Sequence, residues 1–333
     1  DLTHDMTEDL NDDLIDDLID DMTDDLIDDP TTDPTTDPTT DPTTDPTTDP
    51  TTDPTTRSIL LCLWAEDATR AHEDGDPLHK MAGSQLSPPC RFDSTKTVKY
   101  RAVVLGIPDT GAVSARVVMP DGSPAHEATL SPLDNGREAF LSAESAGLVR
   151  YAPGWSPALV RAALRTGAVS VRGGEADLAY WQMPGDYRVE VSGGTATPVS
   201  GMYTYLPVAC CEFDFSVVPY GGARLKTSAR IVGDTDFGTA DLPTVRNIGN
   251  VPCTILVEQD DMGLGQRADG TWNIIYGAAL GDGGEVGYGP SSQTALPGAL
   301  PVRAARPVSF SLQVLAGSGG YSGHMTLSCI PAS

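Results

Sequence analysis

From Thr95 onward, apolar and polar positions alternate in short runs separated by turn residues. Val98-Lys-Tyr-Arg-Ala-Val-Val-Leu105 predicts a strand, Pro108-Asp-Thr-Gly111 a turn, and Val113-Ser-Ala-Arg-Val-Val-Met119 a second strand closed by Pro120-Asp-Gly-Ser123. Both carry β-branched residues at near-alternate positions, as a half-buried sheet requires. Pro184-Gly185-Asp186 predicts a tight turn into a strand with Tyr187, Val189 and Val191 on one face. One stretch has the other period: Ser156-Pro-Ala-Leu-Val-Arg-Ala-Ala-Leu-Arg165 has a capping Ser, Pro at the first helical position and a stop before Gly167. It predicts a short surface helix decorating a sandwich, with its two Arg residues on a solvated face.

A new β pattern starts near Tyr203. Phe213, Phe215 and Val217 alternate against Glu212, Asp214 and Ser216, which predicts a strand reaching Val218 before Pro219-Tyr-Gly-Gly222 turns the chain. Asn247 and Asn250 flank Gly249 between two strands, a composition in which amide side chains close a turn. Val308–Val314 and Tyr321–Cys329 read as the two terminal strands of a meander, with Gly317-Ser-Gly-Gly-Tyr-Ser-Gly323 as the hairpin turn between them. The fold class expected is all-β, two tandem antiparallel β-sandwiches at 95–203 and 204–333, joined through a linker at 57–94 to a low-complexity tail at 1–56.

Composition supports this: Gly (34) and Pro (27) are plentiful and aromatics are 6%. The charge of −26 is unevenly placed. Residues 1–56 hold 20 of the 47 acids and no Lys or Arg, so the remainder carries 27 acids against 21 bases. No basic surface for nucleic acid follows from either part. The longest uninterrupted apolar run, Ile59 to Ala65, is seven residues, well below a membrane span. In the tail, Asp recurs at every fourth position from Asp1 to Asp53, and from Pro30 the unit becomes Pro-Thr-Thr-Asp. A period of four drifts around a helix, and 14 acids in the first 29 residues repel one another, so disorder is expected there. Proline every four residues forbids helix and sheet interior, and predicts an extended spacer on the order of 80 Å long. Its threonines beside prolines match a glycosylated stalk.

The six cysteines, Cys62, Cys90, Cys210, Cys211, Cys253 and Cys329, form no CxxC and have no His at zinc spacing. Disulfides in an oxidising location are the favoured reading, buried thiols the alternative. Cys253 and Cys329 are candidates to bridge the sheets of the second unit. Cys90 can join Cys210 or Cys211 at the junction, and adjacency leaves the partner open. Ser58–Ala65 has the apolar core of a signal peptide cleaved near Ala65, but it is short and follows the acidic segment 1–56, which argues against that reading.

The Pro184-Gly185-Asp186-Tyr187 turn and its strand resemble the penultimate strands of immunoglobulin-like and fibronectin-like sandwiches. Gly233-Asp234, Pro243-Thr-Val-Arg-Asn-Ile-Gly-Asn250, Asp260-Asp261-Met262 and Tyr321-Ser-Gly323 leading into Met325-Thr-Leu327 together resemble secreted β-sandwich proteins of archaeal, especially methanogen, cell envelopes. More loosely they are similar to sandwich subunits of surface fibres that polymerise by donating a strand. The resemblance implies a structural or adhesive role outside the cell and carries over no catalytic residue.

The five histidines lie far apart, and no HExxH, Gly-x-Ser-x-Gly, P-loop or dinucleotide fingerprint occurs. Asp234-Thr-Asp-Phe-Gly-Thr-Ala-Asp241 places Asp234, Asp236 and Asp241 in a loop that can offer hard oxygens to calcium, against the plainer reading of an exposed turn. No other cofactor is expected. Trp155, Trp181 and Trp272 are candidate contact aromatics or core residues. The function expected is a non-enzymatic component of an extracellular layer, sheath or fibre that self-associates through sandwich contacts. An adhesin or surface-glycan-binding module on a stalk is the first alternative, a secreted hydrolase the second.

Overall fold

A computed structural model describes residues 59–65, 85–239, 241–317 and 319–333. The acidic and Pro-Thr-Thr-Asp repeat, with the disorder and spacer readings attached to it, lies outside them. The chain folds as two tandem β-sandwiches whose strands pair antiparallel except for the short parallel pair of Gln85–Leu86 with residues 204–205.

The first domain has two sheets. One contains β1 (Ile59–Ala65), β3 (Thr95–Leu105), β6 (Ser131–Pro132), β7 (Arg150–Tyr151) and β8 (Val169–Ala179), in the order β6-β8-β3-β1-β7. The other contains β2 (Gln85–Leu86), β4 (Val113–Val118), β5 (Pro124–Thr129), β9 (Gly185–Gly193) and β10 (Val199–Tyr205), in the order β2-β10-β9-β4-β5. Val98, Tyr100, Ala102 and Val104 of β3 face Val117, Tyr187, Val189, Val191 and Tyr203 across the core. The turn before β9 closes as expected: Tyr187 Oη donates to the Met183 carbonyl at 2.7 Å, which locks the corner to the strand it starts.

The far face of the β3 sheet is covered by α1 (Gly136–Ser145) and α2 (Pro157–Thr166). Phe140 and Ala143 of α1, with Val160 and Ala163 of α2, pack on Leu61, Cys62, Trp64, Val103 and Val171. This explains Ile59–Ala65. With the core on one face and helices on the other, β1 has no solvent side, so its sequence is a continuous apolar run. The run expected in the linker, and weighed as a signal-peptide core, is thus an interior strand paired with β3 and β7. The first domain starts well before Thr95. α2 has the caps expected, Ser156 Oγ accepting from Leu159 N–H and Gly167 at φ 74°. It is nevertheless a covering layer: Val160, Ala162 and Ala163 are buried, while Arg161 and Arg165, with Pro157, Ala158 and Thr166 at its ends, are turned to water.

In the second domain β11 (Cys211–Phe213), β13 (Thr244–Asn247), β15 (Ile274–Leu280), β16 (Val286–Tyr288) and β18 (Ala305–Val314) form one sheet in the order β11-β13-β18-β15-β16, with β12 (Ser228–Ile231) also paired to β18. The facing sheet is β17 (Thr294–Ala295), β14 (Cys253–Gln259) and β19 (Met325–Pro331), in the order β17-β14-β19. Cys253, Ile255 and Val257 alternate inward against Val308, Phe310 and Leu312.

Two expectations fail here. The strand expected to reach Val218 ends at Phe213, because the Asp214 carboxylate takes the backbone N–H groups of Thr244 (2.8 Å) and Gly238 (3.0 Å) and diverts the chain. The Gly317–Gly323 stretch is no hairpin. It carries the chain from β18 in one sheet to β19 in the other, so the last two strands are not paired neighbours.

Candidate functional site: the last strand and the interdomain seam

Sheet edges are where a sandwich can join another chain, and proteins blunt them with short strands, proline or charge. Among the described residues nearly every edge is blunted. β2, β6, β7 and β17 have two residues each, and β11 and β16 have three. β12 carries Arg230, and the six-residue β5 carries Pro124, His126 and Glu127. The exception is β19. It reads Met-Thr-Leu-Ser-Cys-Ile-Pro, has no charge, and pairs over its full seven residues with β14 on one side only. Ile330 near its end is 47% exposed.

The turns that set β19 in place are built from residues singled out in the sequence. Asp260 Oδ2 accepts from His324 N–H at 2.9 Å and Oδ1 from Met262 N–H at 3.0 Å, while Tyr276 Oη donates to the Asp260 carbonyl at 2.7 Å. A Cβ on Gly323 would run into the Asp260 carboxylate, so only glycine lets the chain enter β19 this way.

The seam between the domains is equally specific. Asn250 Oδ1 accepts from Val208 N–H at 2.8 Å and its Nδ2 donates to the Leu206 carbonyl at 3.0 Å, clamping the connecting segment 206–210. Asn247 Nδ2 donates to the carbonyls of Val251 and Leu300, and its Oδ1 accepts from Gly249 N–H. The Arg246 guanidinium lies between the rings of Phe92 from the first domain, 3.9 Å, and Phe237, 3.7 Å, while bonding Glu212 Oε2 through two nitrogens. Arg303 stacks on Trp181 of the first domain at 4.6 Å. A guanidinium held between aromatic faces and bonded to a carboxylate keeps its donors used while its faces bury ring surface. Of the tryptophans weighed as contact residues, Trp181 is the exposed one, at 41%, and its ring serves this seam; Trp155 packs against the core of the first domain.

Five of the six cysteines meet here, and all six are thiols in this structure. Cys90 and Cys210 are hydrogen-bonded to each other. Cys211 and Cys253 both donate to the Cys329 sulfur, which holds that thiol well below the ordinary range and pushes the two donors up. Burial, then Cys90, pushes Cys210 up to about 12. The pairing expected of Cys90 with Cys210 thus has contact. Cys253 and Cys329 also meet, but on neighbouring strands of one sheet, so they do not bridge the sheets as expected. The residue facing Cys329 from the other sheet is Cys211, which sequence left as a mere alternative partner for Cys90. Cys62 is buried under α1 and α2, its thiol raised by desolvation.

The calcium loop does not assemble. Among the described residues no group of three or more His, Cys, Asp or Glu side chains is placed to hold a metal ion. Asp234 Oδ1 accepts from Asp236 N–H (3.0 Å) and Thr244 Oγ1 (2.9 Å), which ties the loop to β13 in place of offering it to a cation, and Asp236 and Asp241 are exposed. Two concave surfaces lie beside α1, one lined by Asp134, Arg137, Glu138 and Leu141, the other by Lys99, Arg101 and Glu138. No helix among the described residues is long and apolar enough to cross a membrane.

No family model and no curated protein matches the chain. Among solved structures it is similar to the chaperone–tip adhesion subunit pre-assembly complex of the archaic chaperone-usher Csu pili of Acinetobacter baumannii, at 11% identity, over 74% of this chain and 96% of that one, with a TM-score of 0.31. It is similar to a chaperone–tip adhesin complex of CFA/I fimbriae at 6% identity, over 84% and 91%, with a TM-score of 0.22. It is also similar to the secreted serine protease VesC from Vibrio cholerae at 9% identity, over 74% and 49%, with a TM-score of 0.19. Likeness at these scores carries no argument about what this chain does.

Proposed function

We propose that this chain is a non-enzymatic building block of an extracellular layer, sheath or fibre, and that copies associate through the open edge of β19. The observation that carries the reading is the contrast among edges: among the described residues β19 alone combines length, absence of charge and an exposed Ile330. A free edge of seven residues spans about 23 Å and offers backbone donors and acceptors to a second strand, with Ile330 adding apolar contact. The rigid seam suits a part that must carry load between its two ends. The adhesin alternative would want an aromatic platform for a sugar ring, and Trp181 already has Arg303 over its ring.

The test is a concentration series of the full chain followed by light scattering and negative-stain microscopy. Regular polymers or arrays are expected. Ile330→Lys puts a charge on the edge without touching the core, and should abolish assembly while leaving the melting temperature unchanged. Monomers at every concentration would sink the proposal, as would arrays that persist when both Thr326 and Ile330 are replaced by Lys.

A further inference from the structure

The adjacent pair Cys210-Cys211 settles by geometry what spacing leaves open. Cys211 begins β11 and packs into the core of the second domain, while Cys210, one residue earlier, meets Cys90 of the first domain. Successive side chains of an extended backbone point to opposite sides, so one residue serves the seam and its neighbour serves the sandwich interior. The backbone is held in that setting by Ile248 and Gly249, whose N–H groups both donate to the Cys210 carbonyl, at 2.9 and 3.1 Å. Cys90, whose backbone stands at φ 49°, meets Cys210 of the pair.

Three sulfurs remain inside: Cys211, Cys253 and Cys329. In the β14–β19 ladder Cys329 stands opposite Ile255, and Cys253 stands opposite Pro331. The two cysteines are therefore diagonal neighbours. Diagonal Cα atoms lie about 7–8 Å apart, and a disulfide needs about 4.4–6.8 Å. Cys211 comes from the facing sheet and is free of that constraint.

We propose that the chain is oxidised at this seam to two disulfides, Cys90–Cys210 and Cys211–Cys329, joined back to back through one peptide bond, with Cys253 kept as a buried thiol beside the second. The oxidant is a small-molecule disulfide such as oxidised glutathione. One thiolate of each pair attacks it, forming a mixed disulfide and expelling one glutathione thiolate. The partner thiolate then attacks the protein sulfur of that mixed disulfide and expels the second. Each bond takes up one oxidised glutathione, returns two reduced ones, and leaves the protein two hydrogens lighter. Each bond also closes a loop of about 120 residues, a length at which loop closure restricts the unfolded chain strongly. Together they tie the first domain, the connecting segment and the last strand covalently. This inference does not depend on assembly through β19, and a monomeric protein can bear it out.

The test uses the full chain, incubated with oxidised glutathione at mildly alkaline pH, then alkylated in denaturant and digested without reductant. The expected result is a chain four hydrogens lighter, with alkylation only at Cys62 and Cys253 and a melting temperature about 10 °C above the reduced form. Cys253→Ser should keep both bonds. Cys211→Ser should keep Cys90–Cys210 and leave Cys253 and Cys329 both alkylated. Alkylation of Cys211 with Cys253 protected overturns the pairing. So does a chain that keeps all six thiols, forms a single bond, or stops at the mixed disulfide.

Discussion

Single side chains in the first domain carry more of the argument than their exposure would suggest. Tyr100 Oη is 2.8 Å from His126 Nε2 and 3.1 Å from Tyr203 Oη, and Tyr187 stacks on Tyr203 at 5.3 Å. Burial pushes the His126 pKa below its ordinary 6.5, with Asp177 pulling the other way and losing. The unfolded chain therefore takes up the proton first as pH falls below 6.5. Stability should be full above that value and decline through the window down to the depressed folded pKa. Denaturant midpoints followed between neutral and mildly acid pH should show this decline, and His126→Gln should flatten it. Arg172 is the other case. It is 1% exposed and donates to the carbonyls of Ile107, Pro108, Asp109 and Gly111, with no carboxylate bonded to it among the described residues. The turn at Pro108–Gly111 was legible from its residues. That an arginine some sixty positions later holds it was not, because nothing local marks which arginine will be enclosed.

At the scale of elements, what was legible followed burial on one face. β4, β9 and β14 alternate and were readable, as were the caps of α2, and β3 was readable from its β-branched residues although Tyr100–Val104 is buried on both faces. β1 was misread because it is covered on both sides, and α1 was missed because it starts at a glycine with no capping side-chain hydrogen bond. That glycine has a packing reason. A Cβ on Gly136 would lie 2.5 Å from Val171 Cβ, so the helix sits on the sheet at contact distance. Gly136→Ala should lift α1 from β8 and lower unfolding free energy by about 1–3 kcal/mol, despite the better intrinsic helix propensity of alanine. Equilibrium denaturation decides it: a neutral or stabilising result would mean that the contact relaxes freely. The edge argument also lives at this scale. Which strand ends a sheet depends on pairing partners, and the misassigned Gly317–Gly323 hairpin hid the fact that β19 has a bare side.

For the whole molecule, the seam determines behaviour. The amides of Asn250, itself 3% exposed, hold segment 206–210, and Arg246 and Arg303 lay their guanidinium groups on rings of the first domain. Asn250→Ala removes two hydrogen bonds worth about 2 kcal/mol and leaves two backbone groups of the connector without partners. Limited proteolysis of the reduced protein should then cut within 206–210 and release two protease-resistant domains, whereas the reduced parent chain should resist cleavage there. If the variant resists as well, the guanidinium stacks alone hold the seam.

The residue pattern by itself determined that this protein is built of antiparallel strands in two sandwiches, where most turns fall, and that no familiar catalytic or metal motif is present. Those properties are written over a few neighbouring residues, since alternation, proline and glycine act on the local backbone. Tertiary structure alone decided that Ile59–Ala65 is an interior strand, that Asp234 ties a loop down, that β19 is left with an open side, and which cysteine faces which. Each of those depends on chain segments from ten to more than a hundred positions apart being brought into contact. Burial on both faces erases alternation, and the register between distant strands is set by how whole sheets pack.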